Sequence, residues 1–386
     1  MIFLKKIKNV MLLARCMIKA LVYGRTDKVP KNISRIIVMP DGKLGDVVCC
    51  TPVLVAIREN FSNAHVIVGG NVPFLKALLA DSGLVDEYLE LGGNENTIEQ
   101  IKKCHANAAL LTGPSFESAA SMYLAGIPFI VAPRVVGGFS PYETRPYKVL
   151  QRFVKTFSYR MGAYAPRERL RALEPLGIVS DDTQKHLGFS EMADKKIEQF
   201  FVDNSIEIKK DFVVGISSSA GNKIKEWPEE RFAEVADYLI EKYHARVILI
   251  GGPNDDQKTK KVLTQMKNVG VVINSQGKFN LDELKAFISK IGLFISVDTG
   301  PIYIAEAFGV PTIDITGPID ENEQPPRGLV HRNVVPPQRG RPELFVLNAR
   351  SYDREEASRQ VRSITASLVK NEVDLLMRDV IKARST

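Results

Sequence analysis

What this chain of 386 residues has little of narrows its class. It has four cysteines, Cys16, Cys49, Cys50 and Cys104, with no CxxC pair and no histidine at metal-ligand spacing. That argues against a structural zinc and a disulfide framework, and suits a reducing compartment. No apolar run reaches the ~18 residues that mark a spanning helix. No GxGxxG follows a first strand, which disfavours a dinucleotide dehydrogenase. Gly42-Lys43 imitates the end of a P-loop, but Leu44 stands where Ser or Thr is required. No DxD pair follows a strand as a divalent-cation site would need, so neither a metal nor a cofactor is expected. Acidic residues are nearly missing from the first 35 positions, where Asp27 alone faces nine Lys and Arg. The net charge of +7 therefore sits in this arm, and the rest of the chain is close to neutral. Such a basic arm on a balanced body is not the pattern of a nucleic-acid binder.

Composition is otherwise that of a globular protein, with 45% apolar and 25% charged residues, which excludes global disorder. The length implies two domains and an appendage. Residues 1–24 read as one amphipathic helix. Phe3, Ile7, Val10, Met11, Ala14, Ile18, Leu21 and Val22 share a face, and Lys5, Lys8, Arg15 and Lys19 lie elsewhere. A basic helix of this kind suits the surface of an anionic membrane. The competing reading is a helix packed on its own body or on a partner. A secretory signal fits poorly, because charges interrupt the apolar region and no small-residue cleavage site follows. The expectation is a cytoplasmic protein held peripherally on the inner face of the membrane, with 26–32 as a linker.

From Ile33 the pattern alternates. Strands are expected at 35–39, 65–69, 87–91, 108–112 and 127–132, with helices at 46–59, 72–82, 95–105 and 115–124. Alternation of this kind means βαβ units around a parallel sheet. Residues 134–175, rich in Arg, Lys and aromatics, read as a loop-and-helix insertion facing an anionic partner, or as a solvated helix. Alternation resumes with strands at 212–216, 246–250, 269–273, 292–297 and 310–315. Residues 319–350 read as loop, and 352–383 as one long helix able to cross back over both domains. The expected domains are 1–32 (basic helix and linker), 33–190 and 191–350 (two Rossmann-like domains), and 351–386 (C-terminal helix).

Four loops at strand ends carry the candidate chemistry. Asp46 stands where the strand 36–39 turns into a helix, as an N-cap or as a base. Ser217, Ser218 and Ser219, with Lys223 and Lys225 ahead of Pro228, suit a phosphate at a helix start. In Gly251-Gly252-Pro253-Asn254-Asp255 the glycines permit close approach, and Asp255 offers a carboxylate to a ribose. Asp298-Thr299-Gly300 joins a strand to a helix that Asp298 or Thr299 is placed to cap. Each loop alone is explained by turn chemistry. Three on adjacent strands converge on one crevice.

Taken together these blocks resemble glycosyltransferase family 9, the heptosyltransferases. Gly45-Asp46-Val-Val-Cys-Cys-Thr51-Pro52 is similar to that family's GDxxxTxP signature, and Lys225-Glu-Trp227-Pro228 through Phe232 to its KxWPxxxF segment. Gly251 to Asp255, and Ser296-Val-Asp298-Thr299-Gly300 through Gly309-Val-Pro311 to Gly317-Pro318, resemble its later blocks, in the same order. Tyr303 stands where the family often has His. The resemblance implies an α/β GT-B fold, with two Rossmann-like domains facing across a cleft. It implies inverting transfer of a heptose from an ADP-activated donor to a lipopolysaccharide-core acceptor. It makes Asp46 the general base, sets Lys225 on the diphosphate, and lines the donor site with Asp298, Thr299 and Gly300. Ser217, Ser218, Ser219, Gly252 and Asp255 complete the expected donor site, and Lys43, Arg145 and Arg152 are the expected contacts of an anionic glycolipid or glycan acceptor. The alternatives are another GT-B sugar-nucleotide enzyme, an epimerase included, and a non-catalytic membrane-associated binding protein.

Overall fold

The computed structural model describes residues 2–40, 42–70, 75–91 and 96–385, with backbone alone for 2–6, 23 and 380–385. The chain divides into two compact units. The first comprises Met1–His186 and Val346–Arg350, the second Leu187–Phe345 and Ser351–Thr386.

The first unit is built on β1 (Arg35–Met39), β2 (His65–Gly70), β3 (Glu87–Glu90), β4 (Ala108–Leu111), β5 (Ile130–Val136) and β6 (Lys155–Arg160). Their order is β3-β2-β1-β4-β5-β6, and each pairing is parallel. The second is built on β7 (Val213–Ser217), β8 (Arg246–Ile250), β9 (Ile273–Asn274), β10 (Leu293–Val297), β11 (Thr312–Ile315) and β12 (His331–Val334). These run β12-β11-β10-β7-β8-β9, again all parallel. Counted from its own first strand, each sheet has the 3-2-1-4-5-6 order of a doubly wound Rossmann unit. That order reverses between β1 and β4 and between β7 and β10. The inner strands are covered on both faces, which is why they read as unbroken apolar runs such as Ile36-Ile37-Val38-Met39.

The structure adds an edge strand to each expected sheet. β6 lies inside 134–175, where an insertion was expected, and β12 inside the expected loop 319–350. Both are half-exposed and polar, as edge strands are, and so lack the apolar run that marks an inner strand. β9 shrinks to two residues, because Val269–Val271 forms a 3-10 turn instead.

Two expected helices are broken. The segment 46–59 is Leu44–Val48 followed by Thr51–Asn60. Pro52 supplies no N–H to continue the first helix, and Thr51 donates its hydroxyl to the Val48 carbonyl at 2.7 Å. The segment 352–383 is Arg354–Ser363 and Ala366–Ser385. The break at Ile364 is held by Trp227, whose indole N–H donates to the Ile364 carbonyl at 2.8 Å. Beyond it Val369, Val373 and Leu376 are buried and Leu375 is exposed. The last helix packs on Glu229–Tyr243, β11 and β12, all in the second unit.

The N-terminal helix Ile2–Tyr23 belongs to the first unit and packs on the helices Phe116–Ala125 and Arg145–Leu150. Its inward face is Leu12, Leu13, Cys16 and Ala20. Lys19 also turns inward and donates to the Tyr123 and Leu124 carbonyls at 2.9 and 3.1 Å, the favourable place for a cation at a helix C-terminus. The stripe chosen from periodicity is the outward face instead. Ile7, Val10, Met11, Ala14, Ile18, Leu21 and Val22 are all exposed, Leu21 by 88%. The side chain of Phe3 lies outside the described residues. The expected linker is partly paired, with Thr26 bridging Val154 and Asp27 bridging Phe129.

Trp227 is fully buried, packs edge-on against Phe232 at 4.9 Å and holds the helix break. Trp227→Ala is expected to lower unfolding free energy by about 3–5 kcal/mol. Urea denaturation followed by circular dichroism checks this, and a loss below about 1 kcal/mol would deny Trp227 that role.

Candidate active site

In the first unit β1 ends at Met39, and the chain passes through Gly42 into the Leu44–Val48 helix. This loop stands at the carboxyl end of a strand beside the order reversal, where doubly wound sheets bind ligands. Asp46 is not the N-cap of the helix; Lys43 is, and Asp46 sits in the first turn. One oxygen, Oδ2, accepts the Lys43 backbone N–H at 2.8 Å. The other, Oδ1, accepts from Arg169 Nη2 at 2.9 Å. Gly42 is required here twice over. Its φ is +118°, and a Cβ would collide with the Asp46 carboxylate.

Arg169 was placed by the sequence only within a basic stretch facing an anionic partner. Its anionic partner is Asp46 of the same unit. The Arg169 side chain is 3% exposed against 20% for Asp46. Burial works against its charge, but Tyr159, Asp46, Cys49 and Cys50 around it outweigh burial and raise the guanidinium pKa. The pairing depends on β6. That strand delivers the helix Ala165–Leu170, which packs against Thr51–Asn60 and so carries Arg169 to the loop after β1. No local motif signals a contact spanning 123 residues.

The expected acceptor residues separate. Lys43 is exposed and adjacent to Asp46 in the chain. Arg145 is exposed at the start of the helix that follows β5, after that strand's carboxyl end. Arg152 precedes β6, and in an all-parallel sheet that is the amino-terminal edge. It therefore lies on the edge opposite to the Asp46 loop.

In the second unit the loops after β7, β8 and β10 leave one edge of neighbouring strands. Ser217 and Ser218 are buried at the end of β7, and Ser219 is half-buried. The chain then makes the turn Lys223–Lys225, and Lys225 Nζ reaches the loop after β10. It donates to the Asp298 carbonyl at 3.1 Å and, in a close ion pair, to Asp298 Oδ2. Asp298 Oδ1 accepts the hydroxyl of buried Tyr303, so both carboxylate oxygens are held. Asp298 thus anchors Lys225. Thr299 is the N-cap of Gly300–Ala307 but makes no side-chain cap bond. After β8 the Asp255 carboxylate closes its own loop, with Oδ2 accepting the Gly252 N–H at 2.7 Å. Gly252 is exposed beside it. Lys225 and Asp298 flank the β7/β10 reversal, as Asp46 flanks the β1/β4 one. The role of Tyr303 was not readable, because a Tyr in place of His is only a departure until its hydroxyl is seen on Asp298.

The first unit thus offers an oriented carboxylate at its sheet edge, a group able to receive a proton, and the second, taken by itself, an ammonium beside a helix start, a group able to meet a diphosphate. The sequence profile of Glycosyltransferase family 9 (heptosyltransferase) matches residues 96–339. Lipopolysaccharide heptosyltransferase 3 of Escherichia coli (strain K12) is 23% identical over 282 residues, 72% of this chain and 80% of that protein. The crystal structure of the glycosyl transferase family 9 from Veillonella parvula DSM 2008 has the same fold. Its TM-score is 0.67 at 21% identity, covering 80% of this chain and 87% of that one. The E. coli ADP-heptose lps heptosyltransferase II gives a TM-score of 0.65 at 18% identity over 88% and 99% of the two chains. The two six-stranded Rossmann-like units are thus a GT-B fold, and the chain, matched by the profile over most of its length, belongs to glycosyltransferase family 9.

Proposed function

We propose that this glycosyltransferase moves a heptose, or a related sugar, from an ADP-activated donor to the anionic core of lipopolysaccharide or to another glycan, with inversion. The single observation that carries this reading is where the chemistry sits. Asp46 in one unit and the Lys225–Asp298 pair in the other each stand at a strand-order reversal. The relatives support donor and acceptor through their names, one a lipopolysaccharide heptosyltransferase and one an ADP-heptose lps heptosyltransferase.

In this reaction Asp46 takes the proton of the acceptor hydroxyl, and the oxygen attacks the anomeric carbon. The bond to the diphosphate breaks on the opposite face, so the configuration inverts. Arg169 and the Lys43 N–H orient the carboxylate beforehand. Lys225 and the N-terminal amides of Gly300–Ala307 meet the charge of the departing diphosphate. Ser217, Ser218 and Ser219 border the same edge, and the exposed Gly252 leaves room for the nucleotide beside Asp255. Lys43 and Arg145 supply cations for an anionic acceptor.

A membrane surface is the third proposed partner. Among the described residues no helix is long and apolar enough to cross a membrane. The outward face of Ile2–Tyr23 is nevertheless apolar, and Lys8, Arg15 and Lys28 are exposed beside or just beyond it. That combination suits an anionic bilayer surface. Arg152 lies by the same end of the helix, because its neighbour Phe153 accepts the Thr26 N–H at 2.9 Å and stacks on Tyr123.

Asp46→Asn keeps the side chain's size and an acceptor for one of its two contacts; the protein is expected to fold while transfer from ADP-heptose to heptose-deficient core falls about 10²–10⁴-fold. Near-normal turnover would reject Asp46 as the base. Removing Arg169 breaks a largely buried pair, and Arg169→Ala is expected to cost about 3–5 kcal/mol in urea denaturation. Ile18→Glu with Leu21→Glu changes exposed positions alone. It is expected to abolish flotation with anionic vesicles at unchanged melting temperature; undiminished flotation would remove the membrane reading.

A further inference from the structure

Inner strands of a covered parallel sheet are mostly apolar, and the second unit carries a polar row across its sheet. Ser217 of β7, Ser296 of β10, Asp314 of β11 and Asn333 of β12 are register partners across four neighbouring strands. The opposite face, with Ile295, Val297, Ile313 and Ile315, is an ordinary apolar core against the Ala366–Ser385 helix. Asp314 is fully buried, and neither carboxyl oxygen has a hydrogen bond among the described residues. Next to it in the row, the amide oxygen of Asn333 also lacks one.

An unpaired carboxylate in such a place is strongly disfavoured, and an acid answers by keeping its proton. The charged groups around Asp314 are Asp298 after β10, Glu306 on the helix packed over β10 and β11, and Lys225 from the turn after β7. Tyr303 of that helix is joined to Asp298 by its hydroxyl. Burial first, then Asp298, with Glu306 adding, raise the Asp314 pKa well above the usual carboxylate range, while Lys225 opposes them.

We infer that Asp314 is a positioning residue whose retained proton keeps the Lys225 ammonium available to the donor's diphosphate. The inference rests on the donor reading given above. Without ligand Lys225 is shared with Asp298, whose oxygens are held by Lys225 and Tyr303. A diphosphate draws on the same ammonium. A neutral Asp314 leaves Asp298 as the carboxylate bonded to it. An ionised Asp314 adds a second negative charge that competes for Lys225 and repels the ligand. Anion binding is therefore coupled to the proton on Asp314. The pKa is raised, so the protonated form prevails below it, and donor affinity falls as pH rises through it. Any stabilisation that the protonated acid gives the fold is lost in the same direction. Asn copies the neutral acid and cannot ionise.

The test uses the full-length protein and ADP as the probe. Its dissociation constant is measured by calorimetry from about pH 6 to about pH 9 for the natural protein and for Asp314→Asn. The natural protein is expected to lose affinity by about tenfold or more toward alkaline pH, and the variant to stay flat relative to it. Superimposable pH profiles would overturn the inference. Thermal melting is the second readout. Asp314→Asn is expected to be at least as stable, with its advantage growing as pH rises; a variant that melts earlier at every pH would show that the carboxylate is needed for packing and overturn the inference as well. If the natural protein binds no ADP at any pH, the donor reading itself falls, and this inference with it.

Discussion

The strand-order reversal at the middle of each sheet governs the rest of the structure. A parallel sheet sends every connection after a strand to the same edge. Where the order reverses, consecutive connections leave on opposite faces and open a crevice between them. In this chain that happens between β1 and β4 and between β7 and β10. Asp46 follows β1, the Lys225 turn follows β7, and Asp298 follows β10. Each is short-tethered to a buried strand, so its backbone is positioned by the core.

Backbone placement does not orient a side chain, and both units solve this with a buried partner. Arg169 holds Asp46 from a helix more than a hundred residues away, and Gly42 leaves the space that the carboxylate occupies. Asp298 holds Lys225, and Tyr303 holds Asp298. In each case a charge that would wander in water is fixed by the fold itself, the kind of preorganisation on which electrostatic stabilisation depends. Asp314 extends this logic by proton rather than by ion pair. An acid kept neutral near Lys225 leaves that ammonium its charge for a ligand.

Much of this was legible in the residues. Inner strands announce themselves because burial on both faces demands continuous apolar runs, and β1, β2, β7, β8 and β10 did so. β6 and β12 did not, because an edge strand needs one covered face and tolerates polar residues on the other. Helices were found, and their breaks were missed where tertiary contacts cause them. Pro52 was a visible clue to one; the Trp227–Ile364 bond behind the other was not. The N-terminal helix shows the same limit. Periodicity locates an apolar stripe, but this helix has one on each side, and packing on Phe116–Ala125 chose Leu12, Leu13 and Cys16 as the inner one.

The sequence by itself determined the alternation of strands and helices, the two Rossmann-like halves and the loops that hold Asp46, Lys225 and Asp298. All of these are local, carried by period, turn residues and short motifs. The tertiary structure alone decided which charges meet. It paired Arg169 with Asp46, placed the Tyr303 hydroxyl on Asp298, sent Arg152 to the far edge of its sheet and buried Asp314 in a polar row across four strands. Those contacts join residues by strand order and helix packing, and neither is written in the spacing along the chain.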